Sequence, residues 1–205
     1  MDTVPAGTIT TGRLDPVPLR AADAGEMFPV LSDPAPRTFT GGTPDPLPEP
    51  RARYLRMTAG SPDPAVTWLN WVIRLRAESR AAGTVQATIG PSGDGPAAEI
   101  AWVVGTPWQR RGIATEAARA LVDWLGRHSV AAVVAHVHPG HRASAAVAAA
   151  AGLRPTGEWH DGELRRRGRL PRTAPGTGGP AVSAGPGPAD GARSVSSPPP
   201  PASRE

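Results

Sequence analysis

The sequence predicts one α/β domain on a mixed sheet, followed by a disordered C-terminal tail. Three observations carry this expectation. Three strand-like runs, 68–75, 84–89 and 97–104, are joined by short turns, as in an antiparallel meander. Strand and helix signals then alternate, a pattern that brings parallel crossovers into the same sheet. Composition changes sharply at residue 171: residues 171–205 hold 9 Pro and 6 Gly, and their only large aliphatics are Val182 and Val195. So little apolar surface cannot offset the entropy of ordering a chain. The domain is therefore expected over 1–170 and the tail over 171–205.

The elements follow from local pattern. Arg13 to Arg20 reads as a first strand, and Pro16 and Pro18 suit it to a sheet edge. Ala21 to Leu31 reads as a helix with Asp23 near its start, and Glu49 to Ala59 as a second helix whose apolar surface comes from Tyr54, Leu55 and Met57. Residues 32–50 between them are dense in Pro and Gly and read as loop. Trp68 to Leu75 and Thr84 to Ile89 pair as a hairpin, and Ala97 to Val104 follows as the next strand. Thr115 to Arg127 is a helix with Ala118, Leu121, Val122 and Leu125 at helical spacing. Ala131 to Val137 is a buried strand. Ala143 to Ala151 is an alanine-rich helix closed by Gly152. Glu163 to Leu170 lacks the apolar alternation of a last strand, which predicts a disrupted end to the domain. Trp159 and Leu164 are expected to pack on it.

Composition narrows the chemistry. There is no cysteine, which removes disulfides, thiolate nucleophiles and cysteine-bound zinc. All 22 basic residues are arginine, and through Leu164 there are 15 against 16 carboxylates. The domain is thus close to neutral, whereas nucleic-acid binding needs a basic face. An RNA-binding reading would rest on the arginine run and tail alone, so no nucleic-acid partner is expected. No apolar run reaches membrane-spanning length and no signal pattern opens the chain, so a cytoplasmic protein with no membrane partner is expected. His136, His138 and His141 have metal-like spacing, but no carboxylate joins them locally. They suit the wall of an acceptor site better than a metal centre, and no metal is expected.

The chemistry-bearing stretch is Trp108-Gln109-Arg110-Arg111-Gly112-Ile113-Ala114-Thr115-Glu116-Ala117, set between a strand and a helix. First-turn N–H groups of a helix lack intrahelical partners, and the helix dipole adds partial positive charge there. A phosphate at that point meets several backbone donors. Gly112 and Ala114 keep the loop low enough for a bulky ligand to approach the main chain.

This Gln-x-x-Gly-x-Ala spacing resembles the acetyl-CoA pyrophosphate loop of the GNAT N-acetyltransferases. The strand Ala98-Glu99-Ile100-Ala101-Trp102-Val103-Val104 is similar to the family's fourth strand. The segment His138 to Ser144, with Ala151-Gly152-Leu153, is similar to its Asn-x-x-Ser/Ala…Gly-Phe segment. Thr156-Gly157-Glu158 with Asp161-Gly162-Glu163 resembles the final hairpin of the ribosomal-protein alanine acetyltransferase branch, and Thr40-Gly41-Gly42 an acceptor-side loop of it. The likeness spans roughly residues 12–163.

The resemblance implies the GNAT fold and acetyl-CoA as co-substrate. Ile100 to Val104, Trp102 and Val103 included, would splay from the next strand and pair with pantetheine. Gln109, Arg110, Arg111, Gly112, Ile113 and Ala114 would cradle the pyrophosphate, with Thr115 reaching a phosphate. His141 and Ser144 would face the cofactor; His141 stands where the family often has Asn. Glu116 suits the helix N-terminus better than it suits catalysis. Trp102 and Trp108 would flank the groove. For catalysis the resemblance implies Glu99 as the base, with His138 as a second choice. Many members carry a tyrosine acid seven residues past that Asn position; here it is Ala148, and the only tyrosine, Tyr54, lies elsewhere. The implied activity is N-acetyl transfer to a primary amine, a protein N-terminus or a small molecule, by a monomer or homodimer. The alternative is a catalytically weakened acyl-CoA-binding module, favoured by Ala148, His141 and the disrupted last strand.

Overall fold

Every second residue of 67–75 from Leu69 onward, namely Leu69, Trp71, Ile73 and Leu75, enters one core, while Val72 between them is buried in a second. The computed structural model describes residues 5–31 and 50–171. In chain order these form β1 (Leu14–Pro18), a 3₁₀ turn (Ala21–Asp23), α1 (Ala24–Leu31), α2 (Pro50–Ala59), β2 (Thr67–Leu75), β3 (Arg80–Gly90), β4 (Ala97–Val104), a second 3₁₀ turn (Thr106–Trp108), α3 (Ile113–Arg127), β5 (Ala132–Val137), α4 (Arg142–Ala150), β6 (Arg154–His160) and β7 (Glu163–Arg169). The strands make one sheet in the order β1-β2-β3-β4-β5-β7-β6. Its β4–β5 pair is parallel and its other pairs are antiparallel. The expected tail beyond residue 171 and the Thr40-Gly41-Gly42 loop lie outside the described residues.

Two cores flank the sheet. α3 turns Ile113, Ala117, Ala118, Leu121, Trp124 and Leu125 inward, and with α4 it covers the larger core. Trp124 meets Trp71 edge-on at 5.3 Å between ring centroids. On the other face, Met27 and Val30 of α1 and Tyr54 of α2 close over Val72 and Ala81.

The structure shifts some expected boundaries. β3 starts at Arg80, four residues early, because Ala81 and Ala82 are buried like the rest of the strand. α3 starts at Ile113 because Gly112 is its N-cap. α1 begins only after a 3₁₀ turn. α4 ends as its sequence suggests: Gly152, at φ +84°, bonds back to Ala149 while Leu153 bonds to Ala148.

The expected disruption of the last strand is overturned. β7 pairs with β5 over six residues, from Ala132–Arg169 to Val137–Leu164, and with β6 on its other side. The ladder is made by backbone, so it forms without apolar alternation. Arginine stems lie along the sheet while their heads find carboxylates: Arg165 pairs with Glu158, and Arg167 and Arg169 with Asp94. Trp159 also departs from expectation. It is 60% exposed, because every residue of β6 lies at the open sheet edge.

Candidate active site

The two parallel strands separate at the centre of the sheet. β4 pairs with β5 at Ala97–Ala132, Ala98–Val133 and Glu99–Val134, and the pairing ends there. Residues 100–104 remain paired with β3 alone, so one backbone edge faces a cleft. The splay expected for Ile100 to Val104 is present. The cleft holds about 590 Å³ and runs from the start of α3 to Glu99, His136 and His138. Trp102, Val103, Val104, Trp108, Gln109, Arg110, Gly112, Ile113, Ala114, Thr115, His141 and Ser144 all line it.

One end is built for an anion. Gly112 caps α3 with φ +76° and offers no side chain to the first-turn N–H groups of Ile113, Ala114 and Thr115. Those donors therefore remain for a ligand in the cleft. Arg110 is also left-handed, at φ +60°, which makes the loop tight enough to keep this helix end open.

The loop is held from outside by residues that motif reading does not single out. Glu116 accepts from the Thr11 hydroxyl at 2.6 Å, from the Arg13 backbone N–H at 3.0 Å and from Arg13 Nε at 2.8 Å. Burial alone would push the Glu116 carboxyl up, but these hydrogen bonds together hold it below the usual glutamate range. Arg13 also donates to the Arg111 carbonyl at 3.2 Å. Glu116 thus ties the N-terminal segment to the helix rather than acting in the cleft. On the other side, Glu78 takes bonds from Arg111 Nη2 at 2.7 Å and Trp108 Nε1 at 3.2 Å, and its carboxyl is lowered by these two, Arg111 first. The Arg111 side chain is drawn to Glu78, and among the expected pyrophosphate-loop residues it is the one that does not line the cleft. Gln109 turns inward, donating from Nε2 to the Val104 carbonyl at 3.0 Å, so its side chain fixes the loop to β4.

At the other end, Glu99 and His136 meet. The register places Glu99 beside Val134, so Glu99 and His136 share a sheet face, and Glu99 Oε1 lies 3.3 Å from His136 Nδ1. Sequence spacing could not show this carboxylate beside the histidines, because it comes from the neighbouring strand. His138 follows β5, and its Nδ1 accepts from the Gly140 N–H at 3.1 Å. A neutral His138 in this contact carries its proton on Nε2. His141 caps α4: its Nδ1 accepts from the Ser144 N–H at 3.3 Å. Burial, foremost, lowers the His141 pKa, consistent with an accepting ring nitrogen. Ala148 is buried in the main core and Tyr54 in the smaller one, so neither reaches the cleft.

A family model described as an acetyltransferase (GNAT) domain matches residues 13–154. No curated protein matches the chain. Among solved structures the chain is similar to an acetyltransferase from Agrobacterium tumefaciens str. C58, at 29% identity and TM-score 0.61, over 82% of this chain and 95% of that one. It is similar to the ribosomal-protein-S5-alanine acetyltransferase from Vibrio fischeri at 14% identity and TM-score 0.64, over 82% and 99% of the two chains. It is similar as well to the microcin C7 self-immunity acetyltransferase MccE, solved in complex with acetyl-CoA and AMP, at 15% identity and TM-score 0.63, over 78% and 94%.

Proposed function

The chain belongs to the GNAT acetyltransferase family, and from that premise we propose that it transfers the acetyl group of acetyl-CoA to a primary amine, either a protein α-amino group or a small amine. One observation carries this reading: a single cleft joins the uncapped start of α3, the free edge of β4 and the Glu99–His136 pair. An anion cradle, a strand edge for an amide-bearing arm and a proton acceptor are the three parts that thioester aminolysis needs.

The residues would act in sequence. The N–H groups of Ile113, Ala114 and Thr115 hold the pyrophosphate. The backbone of residues 100–104 pairs with the pantetheine amides and brings the thioester to the fork of β4 and β5. The amine enters beside Glu99, loses its proton there and attacks the carbonyl carbon. The C–S bond breaks and CoA leaves as the thiolate. Positioning two reactants in this cleft supplies much of the acceleration. With Tyr54 and Ala148 both away from the cleft, the thiolate takes its proton from water or from the protonated base.

The alternative of a weakened binding module rested partly on a broken last strand, and β7 is whole. The experiment is direct. Acetyl-CoA should bind by calorimetry, and purified protein should release CoA thiol when peptides with free N-termini or small amines are added. The chain has no cysteine, so a thiol reagent reads only the product. Binding without amine-dependent release would favour the module reading; absence of binding would remove both.

A further inference from the structure

We infer that His136 is the group that takes the amine proton, through Nε2, and that Glu99 is the positioning residue that fixes its tautomer. This assignment rests on the amine-acetylation reading and divides the labour within its proton-accepting end.

The geometry separates the two side chains. An ionised Glu99 can only accept, so the 3.3 Å contact requires the proton of a neutral His136 to sit on Nδ1. Nε2 then carries the lone pair, and among the described residues no hydrogen bond occupies it. The His136 side chain is only 16% exposed, whereas that of Glu99 is 60% exposed. Both side chains line this end of the cleft, the imidazole as the more enclosed partner and the carboxylate as the more solvated one. This is the arrangement by which a carboxylate orients a histidine base in acyl transfer. An imidazole also accepts a proton from an amine more readily than a carboxylate does.

Other groups frame the pair. Arg165 of β7 stands opposite His136 in the sheet, with its charge matched by Glu158. The His160 ring of β6 lies 5.3 Å from the His136 ring. Glu163 of β7 and His138 after β5 share the cleft wall. His138 differs from His136 in that its Nδ1 accepts from the Gly140 N–H rather than meeting a carboxylate.

The step balances. The amine nitrogen forms the C–N bond, its proton moves to His136 Nε2, the C–S bond breaks, and the imidazolium formed beside Glu99 returns the proton to water or the leaving thiolate.

Two variants and one spectroscopic measurement test this. His136→Asn keeps an amide nitrogen near the Nδ1 position but has no basic atom. Its kcat, at saturating acetyl-CoA and a peptide with a free N-terminus, should fall roughly 10²–10⁴-fold and lose the acidic limb of its pH profile. Glu99→Ala should lose less, and its neutral His136 ring should no longer be held in the Nδ1-protonated form. Greater loss in Glu99→Ala than in His136→Asn, or an unchanged acidic limb in His136→Asn, would overturn the assignment. Nitrogen NMR of the imidazoles provides a readout independent of turnover: the neutral His136 ring should be protonated on Nδ1, and an Nε2-protonated ring would refute the inference. If the wild-type protein transfers to no amine yet shows the Nδ1 tautomer, the acetylation reading fails while the Glu99–His136 geometry stands.

Discussion

Gly112 offers the sharpest separation of binding from folding. Its φ of +76° lies where a side chain costs about 1–2 kcal/mol. A Cβ built there would meet only Arg13 Nη2, at 3.5 Å, an ordinary contact. Gly112→Ala should therefore cost backbone strain alone and lower the Tm by a few degrees. Gly112→Asp has similar strain, eased in part because aspartate tolerates the left-handed region better than most residues. The aspartate carboxylate would add a negative charge beside the first-turn N–H groups, at the proposed pyrophosphate site. Two unit charges 4 Å apart at an effective dielectric of about 20 repel by about 4 kcal/mol, less with salt. At about 1.4 kcal/mol per decade, acetyl-CoA affinity should fall about 10²–10³-fold. Calorimetry with acetyl-CoA, beside thermal melts of both variants, reads the two effects separately. Wild-type affinity in Gly112→Asp would refute the anion-cradle reasoning. Equal loss in Gly112→Ala would show that strain, and not charge, was the cause.

Three further outcomes follow from the packing. A Cβ at Gly83 would lie 2.1 Å from the Val103 carbonyl oxygen, so Gly83→Ala must push β3 from β4. It should destabilise by about 1–3 kcal/mol or more, read by urea unfolding. Glu116→Gln should loosen the clamp on Thr11 and Arg13 and cost about 1–2 kcal/mol, a figure reduced by the solvent exposure of Arg13. Because the folded Glu116 carboxyl titrates below the usual range, its contribution is present above the unfolded value and lost as pH falls through the folded one; the variant's melting profile should be flatter below about pH 4.3. His141 has the same sign. Its folded pKa is lowered, so stability should decline as pH drops below about 6.5, when protonation removes the acceptor that caps α4. His141→Asn keeps a cap without titrating, and its Tm should lose that pH dependence. A profile identical to wild type would mean that the cap does not govern it.

Much of this architecture was legible in the chain because short-range physics sets it. The 2-residue period of Leu69, Trp71, Ile73 and Leu75, the helical spacing of Ala118, Leu121 and Leu125, and Gly112 just before a helix each act over a few residues. The sequence by itself therefore determined the order of the elements, the strand–loop–helix that opens the anion end of the cleft, and the positions of Gln109 to Thr115 along it. The tertiary structure alone decided three things. It formed β7, since a ladder between β5 and β6 is satisfied by backbone and leaves arginines free to pair with Glu158 and Asp94. It paired Arg111 with Glu78, which arrives from a turn 33 residues away in the chain. It set Glu99 against His136, 37 residues apart, because the parallel register of β4 and β5 brings them to one face. Such pairings depend on strand register and crossover geometry, and no local window of residues carries that information.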